Sequence, residues 1–302
     1  MTHIQQHIGF IGLGRMGLNM ATLLVEKGYR VVGYNRSDAP RAEAQRAGVE
    51  VVASLSSLVE SLAAPRVVWL MVPSAAVTTV LEQLVPLLSA GDTVIDGGNS
   101  FYVDSIARHH ALAAKNISFL DCGTSGGMKG ARYGASLMVG GAKEIFERHE
   151  HIFSALAAPH GYARVGNMGA GHFVKMVHNG IEYGMMGALA EGVSLLHDHA
   201  QKFDINLTAV LKPYEHESII TSKLVTWLRE AFDEGQIDSI KGEVPPGETE
   251  SEMEHITTLG PVKVLEAALA QRKETRMAPS YIGKLIAAMR NQFGGHKVIP
   301  TE

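Results

Sequence analysis

The chain has 302 residues, 46% of them hydrophobic and 19% charged, which is enough for two domains that each bury a core. A net charge of −4, with no dense block of Lys and Arg, excludes a basic field that would attract nucleic acid. A single cysteine excludes an intrachain disulfide framework and fits a reducing compartment.

In chain order, the expected strands cover residues 7–13, 30–34, 49–52, 66–72, 93–96, 117–121 and 136–139. Between them, residues 16–27, 75–88 and 103–115 have helical character, with Gly28 stopping the first helix. The nearly continuous apolar run 67–72 suits a strand covered on both faces. Strands alternating with helices predict an α/β domain over 1–165, with a doubly wound, mainly parallel, Rossmann-like sheet. A glycine-rich hinge follows at 166–171, and then helices at 172–201, 218–233, 262–271 and 280–292. No strand series returns, so an all-helical C-terminal domain is expected over 166–302, with 242–254 as an exposed loop. No charged leader precedes an apolar run at the start, and no apolar run reaches the ~20 residues that span a bilayer. The expectation is a soluble cytoplasmic protein without a membrane partner.

Gly12-Leu13-Gly14-Arg15-Met16-Gly17 is a GxGxxG that leaves the first strand and opens the first helix. That context makes it a dinucleotide loop rather than a plain turn. Gly12 permits the tight turn, Gly14 lets a pyrophosphate approach the backbone, and Gly17 lets helix and strand pack closely. The helix N-terminus offers its unpaired N–H groups to the phosphates. At the end of the second strand, an NAD site usually places a carboxylate against the ribose 2′-hydroxyl. Asn35-Arg36-Ser37 stands there instead, and all three side chains can donate to a 2′-phosphate. NADP is favoured, with NAD as the second candidate; the orientation of Asp38 is left open. Val72 and Asn99 complete the expected cofactor set.

Along 173–183, Lys175, His178, Asn179, Glu182 and Tyr183 fall at i, i+3, i+4, i+7 and i+8, one face of a helix. Phe173, Val174, Met176, Val177, Ile181, Met185 and Met186 occupy most of the remaining circumference, so both flanks of the stripe are expected to be buried. A narrow stripe of base, imidazole, amide, acid and phenol on an apolar helix points to the lining of a cleft. A lysine acts as a general base only when desolvation or nearby cations lower its pKa. Glu182 lies about two turns on, roughly 10 Å by helical rise. That pair suits a reaction that removes a proton at one carbon and delivers one at another.

Here the sequence resembles the 6-phosphogluconate dehydrogenase family, over most of the chain and in a short form with a reduced helical domain. The motifs are the glycine loop, Ile95-Asp96-Gly97-Gly98-Asn99-Ser100, Thr124-Ser125-Gly126-Gly127, the segment 171–184, and Met289-Arg290-Asn291-Gln292-Phe293-Gly294-Gly295-His296. The resemblance implies Lys175 as the base at the C3 hydroxyl and Glu182 as the acid at C1, with no metal. It implies that Asn99, Ser125, Gly126, Gly127, His178 and Asn179 hold the sugar acid, and that Tyr183, Arg272, Arg290 and His296 bind its phosphate. Arg276 is an alternative to Arg272. In the family the C-terminal Arg and His come from a partner subunit, so a homodimer or dimer-based oligomer is implied. The family's Gly-Lys-Trp or Gly-Arg-Trp stretch is missing; Gly247-Glu248-Thr249-Glu250-Ser251-Glu252-Met253 stands in its place, and its acidic residues are placed to repel a phosphate.

Two other readings compete. A β-hydroxyacid dehydrogenase of the 3-hydroxyisobutyrate or tartronate-semialdehyde type shares the glycine loop, a Ser-Gly-Gly and a helix lysine, but leaves Glu182, Tyr183, Arg290 and His296 unexplained. A nucleotide-binding sensor leaves Lys175 and Glu182 without a purpose. Cys122 ends an apolar run and is expected to be a small buried hydrophobe rather than a nucleophile. His197-Asp198-His199 places i and i+2 on nearly opposite sides of a helix, which disfavours a shared metal. His109, His110, His149 and His151 are expected at the surface.

Overall fold

A computed structural model describes residues 6–247 and 249–301, so Glu248 of the acidic stretch lies outside the described residues. The chain divides into two compact units, one ending at Lys175 and the other beginning at Met176. In the first unit the strands are β1 (His7–Ile11), β2 (Arg30–Tyr34), β3 (Glu50–Val51), β4 (Val67–Leu70), β5 (Thr93–Asp96), β6 (Ser118–Ser125), β7 (Ala135–Gly140) and β8 (Ala157–Gly166). The helices that alternate with them are α1 (Arg15–Glu26), α2 (Asp38–Arg46), α3 (Leu55–Glu60), α4 (Ser74–Leu84), α5 (Tyr102–Ala113), α6 (Gly127–Tyr133) and α7 (Lys143–Leu156).

The sheet order is β3-β2-β1-β4-β5-β6-β7-β8, and every pairing is parallel except β6 with β7. The expected doubly wound sheet is therefore present. Side-chain alternation explains its two layers. Ile8 and Phe10 of β1 and Trp69 of β4 pack on one face with Met20, Leu24 and Phe153. Ile11, Val68 and Leu70 pack on the other with Leu58, Leu84 and Phe119. The order reverses between β1 and β4, and at such a switch point the carboxyl ends of the strands form a ligand crevice.

β8 is not among the strands expected from the sequence. Pro159 and Gly161 weaken its strand character, and it is an edge strand, half-exposed along most of its length. Its pairing with β7 is supplied by tertiary structure, with an irregularity between Ala135 and Leu137 that absorbs residues 158–161.

The long helix α8 (Ala170–Asp198) leads into the second unit, which contains α9 (Ala200–Phe203), α10 (Leu207–Glu215), α11 (Lys223–Asp233), α12 (Gln236–Ser239), α13 (Glu250–Leu259), α14 (Lys263–Met277) and α15 (Tyr281–Gly294). Its core joins Met186, Ala190 and Val193 of α8 to Leu224, Val225 and Leu228 of α11 and to Leu285, Ile286 and Met289 of α15.

Three expectations need correction. Residues 250–254 are not exposed loop but the first half of α13, with Glu252 and Met253 buried. Their charges are met from afar: Glu250 pairs with Arg276 at 3.0 Å, and Glu254 with Lys273 at 2.5 Å. His149 is not at the surface. It is buried on α7, and its Nε2 lies 3.0 Å from the Thr93 hydroxyl. Burial first, then the charges of His151 and Arg148, push its pKa down to about 4. On α8, Ile181 and Met185 are 54% and 46% exposed, so that flank of the polar stripe is not buried in this chain. Cys122 is fully buried, and burial raises its thiol pKa. His197, Asp198 and His199 lie exposed at the end of α8. No helix among the described residues is long and apolar enough to cross a membrane.

Candidate active site

The first unit presents its candidate residues largely on backbone. Gly12 adopts φ +95°, and a Cβ there would collide with the Met71 carbonyl and approach Val72 to 2.8 Å. Gly14 precedes α1, and a Cβ there would meet nothing within 4 Å, which leaves the loop open to a ligand. A Cβ on Gly17 would collide with the Gly12 carbonyl. Leu13 is fully buried, and its N–H donates to Asn35 Oδ1 at 3.0 Å. Arg15 and Met16 open α1, which has no acidic residue in its first turn to compete for an anion.

Asn35 is committed locally. It accepts from Leu13, and its amide donates to Ser37 Oγ at 2.9 Å. It therefore ties the end of β2 to the glycine loop. Arg36 and Ser37 are exposed. Asp38 opens α2 and pairs with Arg41, so its charge is met within its own helix.

Asp96 is fully buried at the end of β5. It accepts from Gly98 N at 3.1 Å and from Ser100 Oγ at 2.7 Å, with Arg108 at 3.5 Å. This buried carboxylate shapes the loop that carries Asn99. At the end of β6, Thr124 Oγ1 donates to the Gly97 carbonyl at 3.1 Å. Ser125 closes the strand, and Gly126 and Gly127 then take φ of +118° and +59° to enter α6. Such angles suit glycine. The first unit's candidates thus gather at the carboxyl ends of β1, β2, β4, β5 and β6, except Lys175, which lies on α8. A Cβ on Gly123 would collide with the Cβ of Lys175, so this lysine's stem lies directly against β6.

The second unit builds with side chains. Asn179 and Tyr183 are buried, 6% exposed each. Asn179 Nδ2 lies 3.4 Å from Glu252 Oε2, and its Oδ1 lies 3.4 Å from His178 Nδ1. The Tyr183 hydroxyl is 2.8 Å from Thr249 Oγ1, and the Arg272 guanidinium lies over the Tyr183 ring at 3.2 Å. Arg272 is 4% exposed, its Nη2 meets Met186 Sδ at 3.2 Å, and its Nε finds no hydrogen-bond partner among the described residues. Burial, and then the charge of Arg290, lower its pKa to about 10, against the opposing influence of Tyr183 and Glu182. Arg290 is also buried, donates to the Pro245 carbonyl at 2.8 Å, and has its pKa lowered mainly by burial.

Arg276 is paired with Glu250 and Arg272 is stacked on Tyr183, so the two alternatives have different surroundings. Arg290, expected from a partner subunit, sits in the electrostatic neighbourhood of Tyr183 and Arg272 of its own chain. His296 is exposed, edge-on to Phe293 with ring centroids 5.4 Å apart. Sequence reasoning missed Thr249 and Glu252, because their partners lie 66 and 73 residues away. Among the described residues, no group of three or more His, Cys, Asp or Glu is arranged to hold a metal ion.

A family model described as the NAD binding domain of 6-phosphogluconate dehydrogenase matches residues 7–180, and a second, for the C-terminal domain of that enzyme, matches 171–201. The NAD(+)-dependent, decarboxylating 6-phosphogluconate dehydrogenase of Haloferax volcanii is 37% identical over 297 residues, covering 96% of this chain and 98% of its own. Among solved structures, Plasmodium falciparum 6-phosphogluconate dehydrogenase, described in its apo form and with NADP+ and 6-phosphogluconate, matches with TM-score 0.82 and 30% identity. That match covers 90% of this chain and 62% of the Plasmodium chain. The 3-hydroxyisobutyrate dehydrogenase of Mycobacterium tuberculosis matches at TM-score 0.74 and 20% identity, over 95% of this chain and 100% of that one, a likeness of fold alone.

Proposed function

The chain belongs to the 6-phosphogluconate dehydrogenase family, and on that premise we propose that it oxidises 6-phospho-D-gluconate at C3 and decarboxylates it to ribulose 5-phosphate and CO₂. The nicotinamide cofactor supplies the hydride acceptor for C3. Lys175 takes the C3 hydroxyl proton, which leaves a β-keto acid. It returns that proton to the C3 oxygen as the carboxylate leaves as CO₂, because the developing negative charge collects there. The enediol so formed gives its hydroxyl proton back to Lys175, while Glu182 protonates the carbon that becomes C1 of the pentulose. Electrons and protons balance without a metal, since the keto group itself accepts the electron pair.

The observation that carries this reading is the buried guanidinium of Arg272, stacked on Tyr183 and close to Arg290. Two buried cations side by side are costly unless an anion compensates them. A phosphate monoester supplies that charge with acceptor oxygens for Arg272 Nε, the Tyr183 hydroxyl and Thr249. The acidic stretch does not oppose it at Glu250, whose charge Arg276 offsets.

NADP is the favoured acceptor and NAD the second. Exposed Arg36 offers a guanidinium to a 2′-phosphate, and Asp38 is neutralised by Arg41. Ser125, Gly126, Gly127, Asn99, His178 and Asn179 hold the sugar acid. A homodimer fits the exposed apolar residues Ile181 and Met185 of α8 and Val264 of α14. The test is to compare 6-phosphogluconate with gluconate and 3-hydroxyisobutyrate under NADP and NAD. The phosphorylated acid should lead in kcat/KM by about 10³ or more. Equal or better turnover of 3-hydroxyisobutyrate would assign the chain to the hydroxyacid dehydrogenases instead.

A further inference from the structure

The geometry points to Asp121 and Gly123 of β6 as the positioning residues for Lys175; the inference rests on the reading of Lys175 as the base. The two are two residues apart on one strand, so they face the same side. That side meets the first turn of α8. Asp121 is 1% exposed, and its carboxylate accepts from Gly169 N at 2.8 Å and from His172 N at 2.9 Å. These are donors that the start of a helix cannot satisfy internally. A buried carboxylate is tolerated only when its charge is met, and here the helix N-terminus meets it with two charge-assisted bonds.

Gly123 then determines how closely the helix approaches. A Cβ there would collide with Lys175 Cβ and fall 2.8 Å from the Gly171 carbonyl oxygen. Two further glycines keep the same surface bare. A Cβ on Gly140, the β7 residue opposite Asp121, would fall 2.5 Å from Asp121 Oδ1 and 2.6 Å from Gly171 N. A Cβ on Gly171 would fall 2.5 Å from the Met138 carbonyl oxygen. The first turn of α8 therefore rests on strand backbone, without an intervening layer of side chains that could repack. A second tether comes from α5, where Ser105 Oγ lies 2.7 Å from His172 Nδ1.

Lys175 follows the anchored turn directly, so any shift of the anchor is carried into the base. A misplacement of about 1 Å in a reacting group costs on the order of 10²-fold in rate. Core packing alone would be served by an apolar residue at position 121. A buried carboxylate bonded to two amides of α8, in register with Asp96, which holds the Asn99 loop in the same way, fits a positioning role.

The experiment compares Gly123→Ala and Asp121→Asn with Gly48→Ala. The comparator puts a Cβ on a left-handed residue that follows α2, against Val25, and touches none of this machinery. Gly123→Ala should lower kcat for 6-phosphogluconate by about 100-fold, and Asp121→Asn by about 10-fold, with the cofactor KM within about twofold of wild type. In both, the kinetic isotope effect with C3-deuterated substrate should rise, because hydride transfer becomes the slow step. Amide exchange over residues 169–175 should quicken in Asp121→Asn. Gly48→Ala should lose stability yet keep both kcat and the isotope effect. Unchanged kcat in a folded Gly123→Ala, or a loss in Gly48→Ala that matches it, overturns the proposal. If Gly123→Ala does not fold, Asp121→Asn with Ser105→Ala decides it by the same readouts. If the wild type does not turn over 6-phosphogluconate, the proposed function fails by itself, and amide exchange still reports whether Asp121 anchors α8.

Discussion

The two units present their candidate residues in different materials. In the first, glycines, N–H groups and strand ends make the surface, and buried carboxylates such as Asp96 and Asp121 hold backbone in place. In the second, an arginine stacked on a tyrosine, a hydroxyl pair and a buried Glu–Asn contact make it. Backbone is suited to a ligand that must lie close along its length, such as a pyrophosphate. Long cationic side chains are suited to a concentrated charge such as a phosphate monoester. The contrast teaches that substitutions in the first unit should act through steric shift, and those in the second through lost charge.

The sharpest break would come at Lys175, the proposed base, which lies in the backbone-built unit. Lys175→Met should lower kcat by about 10³-fold or more while cofactor titration by fluorescence stays normal. Substantial residual turnover would remove Lys175 from the base role. Next, Arg272→Met should raise the KM for 6-phosphogluconate by about 100-fold and leave cofactor affinity intact, measured by steady-state kinetics. A loss confined to kcat would mean that Arg272 does not hold the phosphate.

Gly17→Ala tests the other side of the comparison. Its Cβ would collide with the Gly12 carbonyl, so cofactor affinity should fall by about 10-fold through steric shift alone, as read by calorimetry. Arg36→Ala is the exception that the first unit contains. It should weaken NADP by about 10-fold and NAD hardly at all; equal losses would show that Arg36 does not meet the 2′-phosphate.

The smallest effect concerns stability. Burial holds the His149 pKa at about 4, below its ordinary value of 6.5. The fold favours the neutral ring, so this contribution is present above about pH 6.5 and is lost as pH falls towards 4. Urea unfolding at pH 7 and pH 5 should therefore differ less in His149→Gln than in wild type, by on the order of 1–2 kcal/mol.

The fold was legible in sequence where burial is a local matter. β4 is apolar on both faces, and β1, β2 and β5 end in recognisable turn or loop residues. β8 was not legible, because Pro159 and Gly161 interrupt it and its pairing depends on β7. α13 was hidden for a related reason: three alternating glutamates, Glu250, Glu252 and Glu254, look exposed until Arg276, Asn179 and Lys273 are brought to them. The polar stripe on α8 was readable from helical spacing, but which flank is buried was not. Ile181 and Met185 are exposed in this chain although their apolarity argues burial. Thr249, Glu252 and Asp121 escaped because their roles depend on partners that no spacing rule connects.

The measurement that bears most directly on the account is the ratio of CO₂ released to nicotinamide reduced when the wild-type protein is incubated with 6-phosphogluconate and NADP, and separately with NAD. One CO₂ is expected for each reduced cofactor, since loss of the carboxylate follows oxidation at C3 in the same site. Reduction of cofactor without CO₂, or no reduction with either cofactor, would contradict it.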